Sequence, residues 1–482
     1  MVERSGQEVK GNSLMKQWIF ILSLLFFSAA TVPAAAQSDK PNVLFIVVDD
    51  MGWRDLGSYG HPTHETPNLD KLAEHGMRFT NAYAACPICG PSRAAIMTGK
   101  FPSTSGFVDN FVSETKGGVL KRTQERSHLE LKTVTLAESL KAGGYQTGFL
   151  GKWHLTNNDE THLPTDQGFD VNIAGGWKGH PRDGYFSPYK LAHLKDGPKG
   201  EYLTDRLTTE AIGVLDRFSK HQVPWMLYLS YYTVHAPFHS KPEKTKKYAA
   251  KKTKNPKYGG MMESMDENIG RILLWLDEKG LRENTVIFFT SDNGGHRPAT
   301  DNTPLRGHKG DLYEGGIRVC CIAEGPGVSK GAVSDTPIHG ADFYATLLEM
   351  AGIEKKPEIA PDSVSLVPLL KDDTKFKRGP MFWHYPVAKR LTPLSEPGSV
   401  VRDGDWKFLH FYSDGRSELF NLKEDIGETK NLIDTMPEKA AAMKAQLDAE
   451  LKKHNAIIPT AVPVKASRPA RAKSAVKQQT ES

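Results

Sequence analysis

The chain has 482 residues, 39% of them hydrophobic and 25% charged, with a formal net charge of +5. That balance is ordinary for a soluble globular protein with room for one large domain and a smaller one. The positive charge lies in the ends. In the tail, Lys465, Arg468, Arg471, Lys473 and Lys477 face only Glu481; at the start, Arg4, Lys10 and Lys16 face Glu3 and Glu8. The body between is neutral, which gives nucleic-acid binding no support.

Residues 1–36 read as an N-terminal extension and an export signal. Residues 1–14 are polar, an extended or mis-assigned start. Lys16 gives a positive charge, Trp18 to Ala30 an apolar stretch, and Ala34-Ala35-Ala36 a small-residue cleavage site before Gln37. The apolar stretch is short for a membrane span. The expectation is an exported protein, periplasmic or secreted, beginning near Gln37 and without a permanent span; an uncleaved anchor is the alternative. Export permits disulfides, but only Cys86, Cys89, Cys320 and Cys321 are present.

Asn42 to Val48 is a continuous apolar run, the pattern of a strand buried on both faces, and it ends in Asp49-Asp50. Thr66 to His75 reads as a helix with Thr66 as cap and Pro67 at its first position. Cys89-Gly90-Pro91-Ser92-Arg93 then opens a helix-forming run through Met97-Thr98-Gly99-Lys100. The spacing returns Arg93 to the face of Cys89, and the first-turn N–H groups favour negative charge. This is a nucleophile position beside a fixed cation. A buried structural Cys89 and a redox Cys86-Pro87-Ile88-Cys89 pair are the competing readings; neither uses Ser92, Arg93, Thr98 and Gly99.

Leu136 to Ala142 is helical and stops at Gly143-Gly144; the strand Tyr145 to Leu150 follows and leads into Gly151-Lys152-Trp153-His154. Helix Leu203–Phe218 precedes the strand Val223–Tyr232, which runs into Thr233-Val234-His235-Ala236-Pro237. Helix Met262–Leu276 precedes the strand Val286–Thr290, which ends in Ser291-Asp292-Asn293-Gly294-Gly295-His296. Arg318 to Ile322 is another strand, and its neighbours Cys320 and Cys321 face opposite sides as small hydrophobes. The alternation predicts an α/β fold with a large mixed, mainly parallel sheet between helices, spanning 37–378. Near Gly379 the pattern changes to short strands around the Asp403-Gly404 turn, the strand Glu418–Leu422 and a charged helix over 437–454. This is a smaller C-terminal antiparallel sheet plus helix, 379–459. Residues 460–482 read as a disordered basic tail.

Ligands of an open parallel sheet bind beyond the carboxyl ends of its strands. Four such ends share one edge. Asp49, Asp50, Asp292 and Asn293 are hard oxygen donors, suited to Ca²⁺ or Mg²⁺ rather than zinc, and close carboxylates without a cation repel. Lys152, His154, His235 and Lys309 form a second set, of fixed cations and proton donors suited to an anionic group and its leaving group.

Cys89-x-Pro-Ser-Arg93 with Thr98-Gly99 resembles the signature of the type I (formylglycine-dependent) sulfatases, arylsulfatase-like members of the alkaline phosphatase superfamily. The likeness runs from about Pro41 to Leu432. It implies that Cys89 becomes 3-oxoalanine (Cα-formylglycine) through a formylglycine-generating or sulfatase-maturing enzyme, and that one Ca²⁺, more readily than Mg²⁺, is held by Asp49, Asp50, Asp292 and Asn293 with the modified Cys89. It also implies that Arg93 supports the nucleophile, that Lys152 and His154 bind sulfate, that His235 helps break down the intermediate, and that Lys309, in Leu305–Arg318, lies near the bridging oxygen. His308 stands where many relatives have a smaller residue.

Gly184–Tyr189 and Gly200–Asp205 resemble bacterial exported sulfatases that act on sulfated glycans. Trp177, His180, Arg182, His296, Arg297, Asp301 and Arg306 are candidate sugar contacts, and equally ordinary loop residues. The expected activity is sulfuric ester hydrolysis on a sulfated saccharide, galactose-type favoured. A phosphonate monoester or phosphodiester hydrolase of the same superfamily is one alternative; an inactive polysaccharide-binding protein with unconverted Cys89 is another.

Overall fold

The structure is a computed structural model that describes residues 40–110, 120–121, 128–157, 161–387 and 391–461. The segment read as an export signal lies outside the described residues, as does the tail beyond residue 461; Thr460–Ala461, expected to open that tail, instead pair antiparallel with Leu120–Lys121. The main sheet has nine strands: β1 (Asn42–Val48), β2 (Met77–Tyr83), β3 (Gln146–Gly151), β4 (Val171–Ile173), β5 (Trp225–Ser230), β6 (Thr285–Ser291), β7 (Arg318–Glu324), β8 (Ala332–Ser334) and β9 (Ile338–His339). Their order is β9-β2-β7-β6-β1-β5-β3-β4, with β8 also on β2. β1 is parallel to β5 and β6, and β3 is parallel to β4 and β5; β7 runs antiparallel to both of its neighbours.

The composition of β1 explains its central place. Every residue is buried, and alternate side chains supply both faces. Leu44, Ile46 and Val48 join the core beneath helices α1 (Pro67–His75), α4 (Leu203–Phe218) and α5 (Pro256–Glu278). Val43, Phe45 and Val47 join the core beneath α2 (Cys89–Thr98), α3 (Leu136–Ala142) and α6 (Asp342–Met350). Cys320 belongs to the first core and Cys321 to the second, as the alternation predicts.

Three local expectations change. Thr66 holds the cap position of α1, but its hydroxyl accepts from Gly57 N and donates to Asp70 rather than capping. The helix expected over 262–276 begins at Pro256, where Asn255 accepts from Tyr258 N. The strand expected over 223–232 is confined to Trp225–Ser230.

The C-terminal sheet is antiparallel, in the order β10 (Met381–Tyr385), β11 (Gly398–Asp403), β12 (Trp406–Phe411) and β13 (Ser417–Asn421). One face packs Trp383, Val400 and Leu409 on Tyr83, Leu312 and Ile317. The other packs Phe382, Val401 and Phe408 on Met443 and Leu447 of α7 (Pro437–Lys453). A sealed charge network joins this sheet to the segment that carries Lys309. Lys407 Nζ lies 2.9 Å from Glu314 and 2.8 Å from Glu428, and Arg318 lies 3.2 Å from Glu314. Tyr83 donates to Glu314, Glu314 N donates to Glu428 at 2.7 Å, and Arg402 bonds Tyr83. Burial would raise Glu314, but Lys407, Arg318 and Arg402 hold its carboxyl down near 2.

Candidate active site

Register brings the predicted strand ends level. Val47 pairs with Ser230 and Thr290, and Ser230 pairs with Gly151. Asp49 N donates to Thr233 O, and Asp292 N to Val48 O. β3 and β5 approach so closely at the edge that a Cβ on Gly151 would sit 1.8 Å from Ser230 O; its φ of +97° is one that glycine adopts freely. Asp50 and His154 are left-handed at φ 62°, a conformation uncommon outside glycine and concentrated where function demands it. Asp50 N is held by Asp292, and Met51 N by Ser291 Oγ at 3.1 Å.

Cys89 is the first residue of α2, with its Sγ 3.5 Å from Asp49 Oδ1 and 3.9 Å from Asp50 Oδ1. Burial and the nearby Asp292 push its thiol up to about 12. Arg93, one turn later, is spent on the frame. It lies 2.8 Å from Asp292 Oδ2 through both Nε and Nη2, and donates to Lys152 O at 2.9 Å and to Ser230 Oγ.

The cations divide between the carboxylates. Lys152 Nζ is 2.7 Å from Asp49, and Lys309 Nζ is 2.7 Å from Asp50. His235 Nδ1 donates to Ala236 O at 2.6 Å, leaving Nε2 to face Asp50 at 3.4 Å. Burial, then Asp292 and Asp50, push Asp49 up to about 8 against the pull of Lys152 and Arg93. Burial would raise Asp50 as well, but Lys309, His235 and Lys152 hold it well below the carboxylate range. Burial and the lysines keep His154 and His235 neutral. Ligand atoms of Asp49, Asp50, Cys89 and His235 lie within 4.8 Å of one another. Asn293 donates its amide to Asp50 Oδ1 and Gly294 O at 2.9 Å, which aims its buried Oδ1 away from both; that oxygen has no hydrogen-bond partner. Asp49, Asp50 and the lone Asn293 oxygen are hard donors of the kind a divalent cation takes, while both oxygens of Asp292 are engaged by Arg93 and Asp50 N.

The outer candidates separate. His180 stacks on His235, with ring centroids 5.2 Å apart, and Arg182 lies over the Trp177 ring at 4.8 Å. His296 lies against Phe238 and within the field of Asp50 and Lys309. Arg297 is exposed, and Asp301 accepts from Thr303 N. Arg306 turns to the C-terminal sheet, where it stacks on Tyr313, pairs with Glu418 at 3.4 Å and donates to Glu428 O. Sequence reasoning missed Ser230, Ser291 and Tyr185. Tyr185 donates to Tyr232 O and His235 O, fixing the His235 turn. Ser230 and Ser291 each end a buried strand, which was the available signal; Tyr185 lies within the Gly184–Tyr189 resemblance, which does not reveal its bonds to the His235 turn.

The sulfatase family profile matches residues 41–353. The chain belongs to the sulfatase family. This sulfatase also matches the N-sulphoglucosamine sulphohydrolase C-terminal profile over residues 308–456. It is 31% identical to a sulfatase of Formosa agariphila, over 93% of this chain and 95% of that protein. It is 33% identical to human N-acetylgalactosamine-6-sulfatase, over 73% of this chain and 69% of that protein. The solved structure of Ps i-CgsB in complex with k-i-k-neocarrahexaose superposes with a TM-score of 0.73 at 29% identity, covering 85% of this chain and 92% of that one. The reaction class is sulfuric ester hydrolysis. Among the described residues no helix is long and apolar enough to cross a membrane.

Proposed function

We propose that this protein is an exported carbohydrate sulfatase that removes sulfate from a galactose-type sugar, using formylglycine made from Cys89 and a Ca²⁺ ion held by Asp49, Asp50, Asp292 and Asn293. The observation that carries the reading is Cys89 at the first position of α2, 3.5 Å and 3.9 Å from two carboxylates. The sugar class draws support from relatives named for N-acetylgalactosamine and for a neocarrahexaose complex, both built on galactose-type rings. When present, the aldehyde hydrate supplies an oxygen nucleophile and the cation offsets charge on the sulfuryl oxygens.

The chain's own residues do the rest. Lys152, His154 and Lys309 bind the sulfuryl oxygens as charge builds on them. Lys309, beside Asp50, gives the proton to the departing oxygen, and neutral His235, with its Nδ1–H committed to Ala236 O, presents Nε2 as an acceptor. Arg93 fixes Asp292 and the backbone of Lys152 rather than meeting substrate. Residues 37–378 carry these groups, and 379–459 brace the Lys309 segment.

The test is the mass of the peptide spanning Cys89, from protein matured in its native host, followed by rates on sulfate and phosphate esters of one phenol. A loss of roughly 18 Da, the change a thiol-to-aldehyde activation requires, with preference for the sulfate ester, is the expected result. Unmodified Cys89 points to the binding protein, and preference for the phosphate ester to the phosphonate or phosphodiester hydrolase.

A further inference from the structure

The turn that carries Arg182 is anchored to the catalytic frame. Gly179 packs against His154 so tightly that a Cβ there would lie 2.7 Å from Nε2. Gly184 N donates to Pro181 O at 2.9 Å, and Gly184, at φ +104°, abuts His239 with room for no side chain. Tyr185 then ties the chain to Tyr232 O and His235 O. Arg182 therefore keeps a fixed relation to His235.

From the reaction centre the side chains lead outward in sequence. Asp50 meets His235 at 3.4 Å, and the His235 ring lies parallel to that of His180, 12° between planes. Beyond His180 comes Arg182. Burial lowers the basicity of His180, and Lys152, Arg182 and Lys309 lower it further. Cations thus act on this one ring from the sulfate-binding side and from the solvent side.

Arg182 is exposed and has no carboxylate partner among the described residues; its neighbour Asp183 is held by Lys190 at 3.7 Å. The guanidinium carbon sits over the Trp177 ring at 4.8 Å, which restrains the side chain and leaves its N–H groups without a carboxylate. A restrained guanidinium loses less entropy on binding and can meet a sulfate in two-point fashion.

We propose that Arg182 on Trp177 is a subsite for a second sulfate group, carried by the sugar next to the one being desulfated, so that the enzyme selects multiply sulfated glycans. The proposal rests on the sulfatase reading. Its test uses the mature full-length enzyme and a pair of galactose-type disaccharides, one sulfated on both rings and one on the cleaved ring alone. Released sulfate gives kcat/KM for each, and 4-nitrophenyl sulfate reports on the reaction centre. The expected result is a preference for the doubly sulfated sugar. Arg182→Ala lowers that preference about tenfold, the size of one charge-assisted hydrogen bond. Arg182→Lys keeps part of it, and Trp177→Leu loses part.

No preference in the wild type, or an equal effect of Arg182→Ala on both sugars, overturns the subsite and leaves the sulfatase reading standing. Turnover of 4-nitrophenyl sulfate with neither sugar attacked overturns the subsite and the sugar class. No sulfate release from any ester overturns the sulfatase reading and the subsite together.

Discussion

The charges around Asp49, Asp50 and Asp292 and those around Glu314, Lys407 and Glu428 are alike in being buried and in pairing carboxylates with cations. They differ in access. Lys407 and Glu314 have no side-chain exposure at all, whereas Lys309 keeps 10% and His235 17%. In the network beneath the C-terminal sheet every charge is spent on another. At the strand ends, Asn293 keeps an oxygen unbonded and two residues hold left-handed backbone. Buried charge with an opening serves chemistry; buried charge without one holds two sheets in register.

The contrast is broken or sharpened first at Cys89. Cys89→Ala should lower sulfate release by roughly 10³-fold or more, as loss of a nucleophile does, with the melting temperature of the variant near that of the parent. Activity undiminished in that variant would falsify the role of Cys89. Next, Lys309→Ala should cost about 10²–10³ in kcat, the scale of one charge-stabilising donor, read from saturation kinetics on an aryl sulfate. A comparable substitution in the sealed network should act elsewhere. Lys407→Met leaves Glu314 and Glu428 buried together, and should cost about 3–5 kcal/mol of stability in denaturant unfolding. Its turnover per folded molecule should fall less than that of Lys309→Ala; an equal fall would mean that the network governs chemistry too.

The smallest expected effect compares the two regions by pH. Burial holds His64, packed against Tyr248 and Tyr258, and His384, in the C-terminal sheet, down near 4, while an unfolded histidine takes its proton near 6.5. The unfolded chain then binds more protons between these values, so stability is complete above about 6.5 and is lost as pH falls toward 4. His64→Gln and His384→Gln should each flatten that acid slope in thermal melts. A slope unchanged in both would remove these histidines as its source.

The site was more legible than its supports. Asp49, Lys152, His235 and Asp292 each follow an apolar strand, so strand-end logic found them far apart in sequence, and the Cys89 motif marked the place where they meet. The sealed network gave no such signal. Lys407 alternates with apolar residues as any exposed strand residue would, and Glu428 sits in a charged loop; their meeting with Glu314 depends on packing between two sheets. Arg306 misled for the same reason, since a loop arginine beside a site motif does not reveal that Tyr313 and Glu418 will take it. The antiparallel course of β7 was equally hidden, because an apolar run carries no direction.

Helix α2 is buried along its whole length, from Cys89 to Thr98. On the proposed conversion of Cys89, a maturing enzyme must grip the backbone around that residue, which the finished fold buries. On that reading the window for activation closes when α2 settles against the sheet. Yield of active molecules is then a race between two rates, and a chain that folds too early is left unconverted.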